Sequence, residues 1–187
     1  MPAPLMSKDE VLDRLMSAFR DRGYEGASLS ELSAATGLTK SSLYHYFPGG
    51  KEEMGEQVLA HLDRQLAESL FKPLQSSQTP ARKLAGMIDT IDAFYEGGRK
   101  ACLLERLCTA ANRARFRRPL RKAFNVWMEA LEALCIEAGL SRTVARARAE
   151  DFVVRLEGAL VVCAGTEDYG VFARTLKDLR GSLLIRP

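Results

Sequence analysis

The chain has 187 residues, 47% of them hydrophobic and 27% charged, with a formal net charge of +3. This composition is typical of a globular protein with a sizeable core, and it excludes a broad positive field as the source of any nucleic-acid affinity. The apolar runs are too short for a membrane helix and the N-terminus lacks a secretory signal, so we expect a cytoplasmic protein without a membrane partner. Four cysteines without paired spacing predict reduced thiols and no metal site.

The first predicted helix begins at a capping box and is amphipathic. Ser7 supplies the cap and Glu10 reaches back to it. A broad apolar stripe follows at helical spacing, made of Val11, Leu12, Leu15, Met16 and Phe19. We expect Gly23 to end this helix and Tyr24 to lie over a small core.

A second capping box, Ser28 with Glu31, predicts a short helix from Leu29 to about Thr36. The pattern turns Leu32 and Ala35 inward. Gly37 then occupies the position after the helix where a left-handed conformation is needed, which glycine adopts without strain.

Thr39 is the predicted N-cap of a third helix, Lys40 to Phe47, after a turn of roughly three to four residues. Leu43 and Phe47 are four residues apart and share an inward face. The other positions carry hydroxyls, a lysine, two tyrosines and a histidine, which is the composition that a DNA-reading helix needs. Pro48-Gly49-Gly50 ends the helix, and Lys51 opens the next one, where free backbone N–H groups and a cation together can bind a phosphate.

Residues 7–54, with the segments GYEGASLSELSAATGLTKSSLYHYF and PGGKEEM, resemble the three-helix DNA-binding domain of the TetR family of bacterial transcriptional regulators. The resemblance implies phosphate contacts from Ser28, Thr39, Tyr44, Tyr46 and Lys51. It implies readout of base edges by Lys40, Ser41, Ser42 and His45. Ser41 replaces the family's common glycine and His45-Tyr46 reverses its usual order, so the operator sequence stays open.

The remainder of the chain predicts further helices and almost no strand, which makes the fold all-α with about nine helices in total. A long helix over 51–72 is followed by one that restarts at Thr79-Pro80 and ends at Gly97-Gly98. Another begins at Cys102 and runs into a basic stretch, and the next has Pro119 in its first turn. Ser141 caps a helix of about 24 residues, and the last helix runs from Asp168 to about Leu184.

We expect a helix-turn-helix domain over residues 1–50 and a larger effector-binding and dimerisation domain over 51–187. The later segments ACLLERL, FNVWMEALEALCIEAGL and RLEGALVVC resemble the LmrA/YxaF-like branch of the TetR family. This resemblance implies a small-molecule effector that is apolar or aromatic. It also implies a homodimer through residues 143–164 and 169–184. Independently, residues 152–164 are apolar almost all round, which predicts burial on both sides of that helix.

The central helices carry the candidate ligand contacts, a mainly apolar set with a few polar groups. They are Met87, Ile91, Phe94, Tyr95, Cys102, Arg106, Leu107, Trp127, Leu131 and Glu157. Each residue alone fits core packing as well as ligand contact. Cys102, near a helix start and several cations, is either a reactive thiol or a small buried side chain. The basic run from Arg113 to Lys122 fits flanking DNA, an anionic ligand or a solvated surface.

Catalytic signatures are missing from the sequence, so we expect no enzyme and no cofactor. The favoured interpretation is a repressor that binds double-stranded operator DNA as a homodimer and is released by its effector. Two alternatives stay open: a sensor of electrophiles or oxidants that uses Cys102, and an adaptor that reuses the fold without binding DNA.

Overall fold

The computed structural model describes residues 6–185, and within them every regular element is helical. Nine α-helices follow in chain order: α1 Lys8–Gly26, α2 Leu29–Thr36, α3 Lys40–Tyr46, α4 Gly50–Leu66, α5 Pro80–Phe94, α6 Leu103–Leu107, α7 Arg113–Glu137, α8 Arg142–Thr166 and α9 Gly170–Ser182. The predicted all-α class and helix number are confirmed.

The described chain forms two compact units. The first runs up to Arg64 and includes Leu103–Pro119, whereas the second comprises Gln65–Cys102 and the chain from Leu120 onwards. The first unit therefore takes in most of α4, all of α6 and the first turns of α7, in addition to the predicted helix-turn-helix. A boundary at residue 50 remains our sequence-based expectation for the functional domains.

Both capping boxes of the first unit form as predicted. Ser7 accepts a hydrogen bond from the backbone N–H of Glu10, and Ser28 does the same for Glu31. The predicted apolar stripe of α1 is buried. Gly23 has a φ of 68° and interrupts the helical geometry, although the chain remains helical to Gly26.

One inward position of α2 was predicted wrongly. Ala35 is exposed, and Thr36 is fully buried in its place. The Thr36 hydroxyl can enter the core because it donates to the Leu32 carbonyl at 2.8 Å, so burial leaves its proton paired. A threonine whose hydroxyl bonds to a carbonyl of its own helix can be buried like an apolar side chain. The pattern of hydrophobic residues in the sequence does not reveal this.

The long helix predicted over 51–72 is only partly α-helical. The α geometry ends at Leu66, a π turn continues over Ala67–Phe71, and a 3₁₀ turn over Lys72–Gln75 contains Pro73. The predicted apolar positions are nevertheless all buried: Met54, Val58, Leu59, Leu62, Leu66 and Leu70.

The start of α7 corrects a second prediction. α6 ends at Leu107, and α7 begins at Arg113, so that Pro119 lies in the second turn of α7 rather than the first. The fully buried Asn112 directly precedes α7, and its side-chain amide donates to Glu25 at 2.9 Å and to Thr109 at 3.0 Å. The helix thus begins before the proline and lacks the backbone hydrogen bond that residue 119 cannot donate.

The second unit packs α8 against α9 and α5 against α9. The turn after α5 comes close to α9, because a Cβ atom on Gly98 would lie 2.7 Å from the Cβ of Phe172. Ser141 caps α8 as predicted, and its side chain accepts from the Val144 N–H. Within the described part of the chain, no helix is long and apolar enough to cross a membrane.

Candidate nucleic-acid interface

The turn between α2 and α3 is built by two backbone devices. Gly37 ends α2 with a φ of 73°, and Thr39 caps α3 by accepting from the Ser42 N–H at 3.1 Å. Arg14 of α1 donates to the Thr36 carbonyl at 3.0 Å, which fastens the end of α2 to α1. The seven-residue α3 is therefore held by its neighbours, because a helix this short has little stability of its own.

The surface of α3 separates into a buried and an exposed side. Leu43 and Phe47 are fully buried. Lys40, Ser41, Tyr44 and His45 are exposed, whereas Ser42 and Tyr46 are half-buried. Residues 40 and 44, and residues 41 and 45, are four apart and so form two adjacent rows on the solvent side. This arrangement presents a cation, a hydroxyl, a phenol and an imidazole together, as a major-groove reading surface requires.

Tyr46 has a different contact from the one the resemblance implies. Its hydroxyl donates to the Met6 carbonyl at 2.7 Å and ties the chain before α1 to α3. A hydroxyl has one proton, so in this arrangement Tyr46 cannot also donate to a phosphate. The sequence held no signal for this contact, because Met6 and Tyr46 are 40 residues apart.

Two predicted phosphate ligands, Tyr44 and Lys51, lie at the start of α4. Tyr44 lies against Gly50, where a Cβ would be 3.4 Å from its ring. Lys51 is half-buried, with its amine 4.5 Å from the centre of the Tyr24 ring. Burial lowers the pKa of Lys51, and nearby Arg115 lowers it further while Glu25 opposes the shift. The Ser28 hydroxyl accepts from Glu31 and can still donate its own proton outward.

The comparisons with known proteins agree with this geometry. Residues 11–58 match the domain of the bacterial regulatory proteins of the tetR family. The chain is 25% identical to the HTH-type transcriptional regulator YxaF of Bacillus subtilis over 173 residues, which cover 87% of each protein. It is 21% identical to the regulator LmrA of the same organism over 160 residues, which cover 83% of this chain and 85% of LmrA.

Solved structures share the fold along nearly the whole chain. A TetR transcriptional regulator from Legionella pneumophila has a TM-score of 0.85 at 17% identity, and the match covers 96% of this chain and 98% of that one. The chain thus carries the DNA-binding domain of the TetR family. With this domain and these relatives it is a DNA-binding transcriptional regulator, and the prediction that it is not an enzyme is confirmed by the relatives. A further fold match is the TetR family regulator CifR, whose structure was determined with operator DNA, with a TM-score of 0.63 at 22% identity over 96% of this chain and 93% of that one.

The predicted ligand contacts fall into both units. Arg106 and Leu107 lie in α6 and belong to the first unit. The other eight belong to the second unit, where all are buried except the half-buried Phe94 and Glu157: Met87, Ile91, Phe94, Tyr95, Cys102, Trp127, Leu131 and Glu157.

Three of these residues form a polar cluster in the second unit. The Cys102 thiol donates to the Glu157 carboxylate at 3.2 Å, and the Tyr95 hydroxyl donates to the Cys102 sulfur at 3.6 Å. The ring of Tyr95 packs edge-on against Phe94 and Phe172. A phenol, a thiol and a carboxylate thus meet among aromatic rings, which is the mixture of apolar wall and placed polar groups that small-molecule sites use.

Cys102 does not have the surroundings that the reactive-thiol interpretation needs. It is 3% exposed, and its thiol donates a hydrogen bond to the Glu157 carboxylate. Reactive cysteines are accessible and lie near positive charge. Within the described residues Cys102 instead bridges α8 and the turn after α5 through its hydrogen bond to Glu157.

Sequence reasoning missed several residues that hold the helices around the interface in place. Arg14 fastens α2, Asn112 bonds to Glu25, and Arg115 pairs with Glu52 on α4 at 3.2 Å. Their partners are distant in sequence, and only the acid-free run around Arg115 could have drawn attention to it.

Proposed function

We propose that the chain is a ligand-responsive repressor that binds a palindromic operator as a homodimer. The observation that carries this proposal is α3, a capped helix with Lys40, Ser41, Tyr44 and His45 exposed above a buried Leu43 and Phe47. Ser42 completes the base-reading set, and Ser28, Thr39, Tyr44 and Lys51 supply phosphate contacts, with Tyr46 joining them only if it leaves Met6. Relatives such as DhaR of a Mycobacterium strain carry the name repressor.

The proposed homodimer is supported by an apolar face of α8. Val154, Val161 and Val162 are 69%, 52% and 44% exposed, although large aliphatic side chains are usually buried. Gly158 and Gly165 lie on the same side, with open space where their Cβ atoms would be. A second copy packed along residues 143–164 and 169–184 would cover this face. Two-fold symmetry would also present two α3 helices to half-sites about 34–36 Å apart.

The proposed effector is a small apolar or aromatic molecule held in the second unit. Tyr95, Cys102 and Glu157 would provide hydrogen bonds, and Met87, Ile91, Phe94, Trp127 and Leu131 would provide apolar wall. Arg106 and Leu107, the two remaining ligand contacts predicted from the sequence, belong to the first unit. Binding would tilt the helical stretch 51–72 and change the half-site spacing. Such release requires that the effector bind the two states with different affinity, because equal affinity shifts no equilibrium.

Binding to the DNA upstream of the chain's own gene tests the proposal. Fluorescence anisotropy across a salt series should show binding by a dimer, with log affinity falling linearly against log salt. Lys51→Ala should weaken binding to every sequence and reduce the salt slope by about one per lost phosphate contact. Lys51→Arg is the matched control and should keep the slope, since arginine also binds phosphate. Absence of any binding at low salt would refute the proposal that the chain is an operator-binding repressor. A changed base preference in Lys51→Ala would refute the proposal that Lys51 binds a phosphate.

A further inference from the structure

The start of α7 carries an unusual concentration of charge. Residues 113–122 contain six cationic side chains and no acid, and the nearest acids in sequence are Glu105 and Glu129. Arg117 and Arg118 are exposed, and among the described residues neither forms an ion pair. The predicted alternatives for this run were flanking DNA, an anionic ligand and a solvated surface.

These charges destabilise the helix that carries them. Arg117 and Arg121 are a like-charged pair four residues apart on α7, and such a pair destabilises a helix. An anion bound along this side of α7 would relieve the repulsion. A surface that served only solubility would gain nothing from this placement.

The first turns of α7 are also packed onto the start of α4. Arg115 pairs with Glu52 at 3.2 Å, and its guanidinium lies 5.2 Å from the Tyr24 ring. Lys51 lies 4.5 Å from the same ring. The fully buried Phe116 packs edge-on against Tyr24. Within the first unit, the basic first turns of α7 therefore lie beside Lys51, the residue proposed to bind an operator phosphate.

We propose that the first turns of α7 form a second contact with the DNA backbone, in which Arg117 and Arg118 bind phosphates that flank each half-site. This inference rests on the proposed operator binding. Repeated charges along an open helical surface suit the repeated phosphates of a duplex, whereas a small anionic ligand would need a concave site. The contact adds affinity and salt dependence without base preference.

Duplex length tests this contact. One duplex contains only the segment that the Arg117→Gln, Arg118→Gln variant protects upstream of the chain's own gene, and a second adds about one helical turn, roughly 10 bp, on each side. The native chain should bind the longer duplex more tightly. Arg117→Gln with Arg118→Gln should remove that gain and reduce the salt slope by about 0.9 for each lost phosphate contact. The matched control, Arg82→Gln with Arg142→Gln, removes two exposed cations from the second unit and should keep the gain.

Thermal unfolding without DNA gives a second readout. The Arg117→Gln, Arg118→Gln variant should unfold at a higher temperature than the native chain, since it relieves repulsion between Arg117 and Arg121 in α7. An equal gain from the flanks in native and variant chains overturns the proposal. Binding of the basic turns to phosphatidylglycerol vesicles without any flank effect also overturns it. If the native chain does not prefer its own upstream segment, the operator proposal fails by itself. The backbone contact is then still supported if the native chain and the control variant bind an unrelated duplex at low salt and the Arg117→Gln, Arg118→Gln variant does not.

Discussion

Substitutions of Thr39 separate its two roles, as the cap of α3 and as a proposed phosphate ligand. Its hydroxyl accepts from the Ser42 N–H at 3.1 Å and lies 2.9 Å from the Ser42 hydroxyl. Thr39→Ala removes the cap and should lower the free energy of unfolding by about 1 kcal/mol. Thr39→Asp keeps a good cap, and its negative charge suits the helix N-terminus, so stability should be unchanged or slightly higher.

DNA affinity should respond in a different order. A carboxylate about 4 Å from a phosphate costs about 1 kcal/mol even at the dielectric constant of water. A dimer with two such contacts would lose about 2 kcal/mol, or roughly thirtyfold in affinity, in Thr39→Asp. Thr39→Ser retains the hydroxyl and should match the native chain in both assays. Chemical denaturation and anisotropy titration of the same preparations give the two quantities. Native-like DNA affinity in Thr39→Asp would refute the placement of Thr39 against a phosphate.

Packing and thiol chemistry provide two more predictions. In Gly55→Ala the new methyl would lie 2.8 Å from the buried Phe116 ring, whereas Gly86→Ala adds its methyl in open space on α5. Both gain helix propensity, so thermal unfolding should show the first less stable than the second by about 1–3 kcal/mol, and equal midpoints would refute the packing argument. Burial raises the pKa of Cys135 to about 11, so iodoacetamide at pH 8 should label the exposed Cys108 and spare Cys135 until the chain unfolds. Faster labelling of Cys102 than of Cys108, read by mass spectrometry, would instead revive the electrophile sensor.

Local sequence signals predicted the helix-turn-helix well because each of its elements is specified by residues that are close together in the chain. A serine followed three residues later by a glutamate predicts a helix start, since both partners of the capping box lie in one turn. Ser7 with Glu10 and Ser28 with Glu31 form as predicted. Gly37 has the predicted left-handed backbone.

The predictions that were wrong concern where one helix begins and which residue of another is buried. Pro119 suggested a helix start, but α7 begins earlier, at Arg113, directly after the buried Asn112. Ala35 fitted the apolar period of α2, but Thr36 took the core position because its hydroxyl could bond back to Leu32. Burial depends on which surfaces meet, and periodicity within one helix does not contain that information.

The sequence by itself determined the all-α fold, the order of the helices, the helix-turn-helix and the candidate side chains of α3, because capping, turn and periodicity signals act over a few residues. Only the tertiary structure decided that Tyr46 bonds to Met6, that Cys102 meets Glu157, and that Arg115 shares the Tyr24 ring with Lys51. The residues in these contacts are 27 or more positions apart. Such contacts form only when packed helices bring distant side chains within hydrogen-bonding or ring-contact range. The acid-free run after residue 112 was visible from the start. Its position beside Lys51 in the first unit became apparent only once the chain was folded.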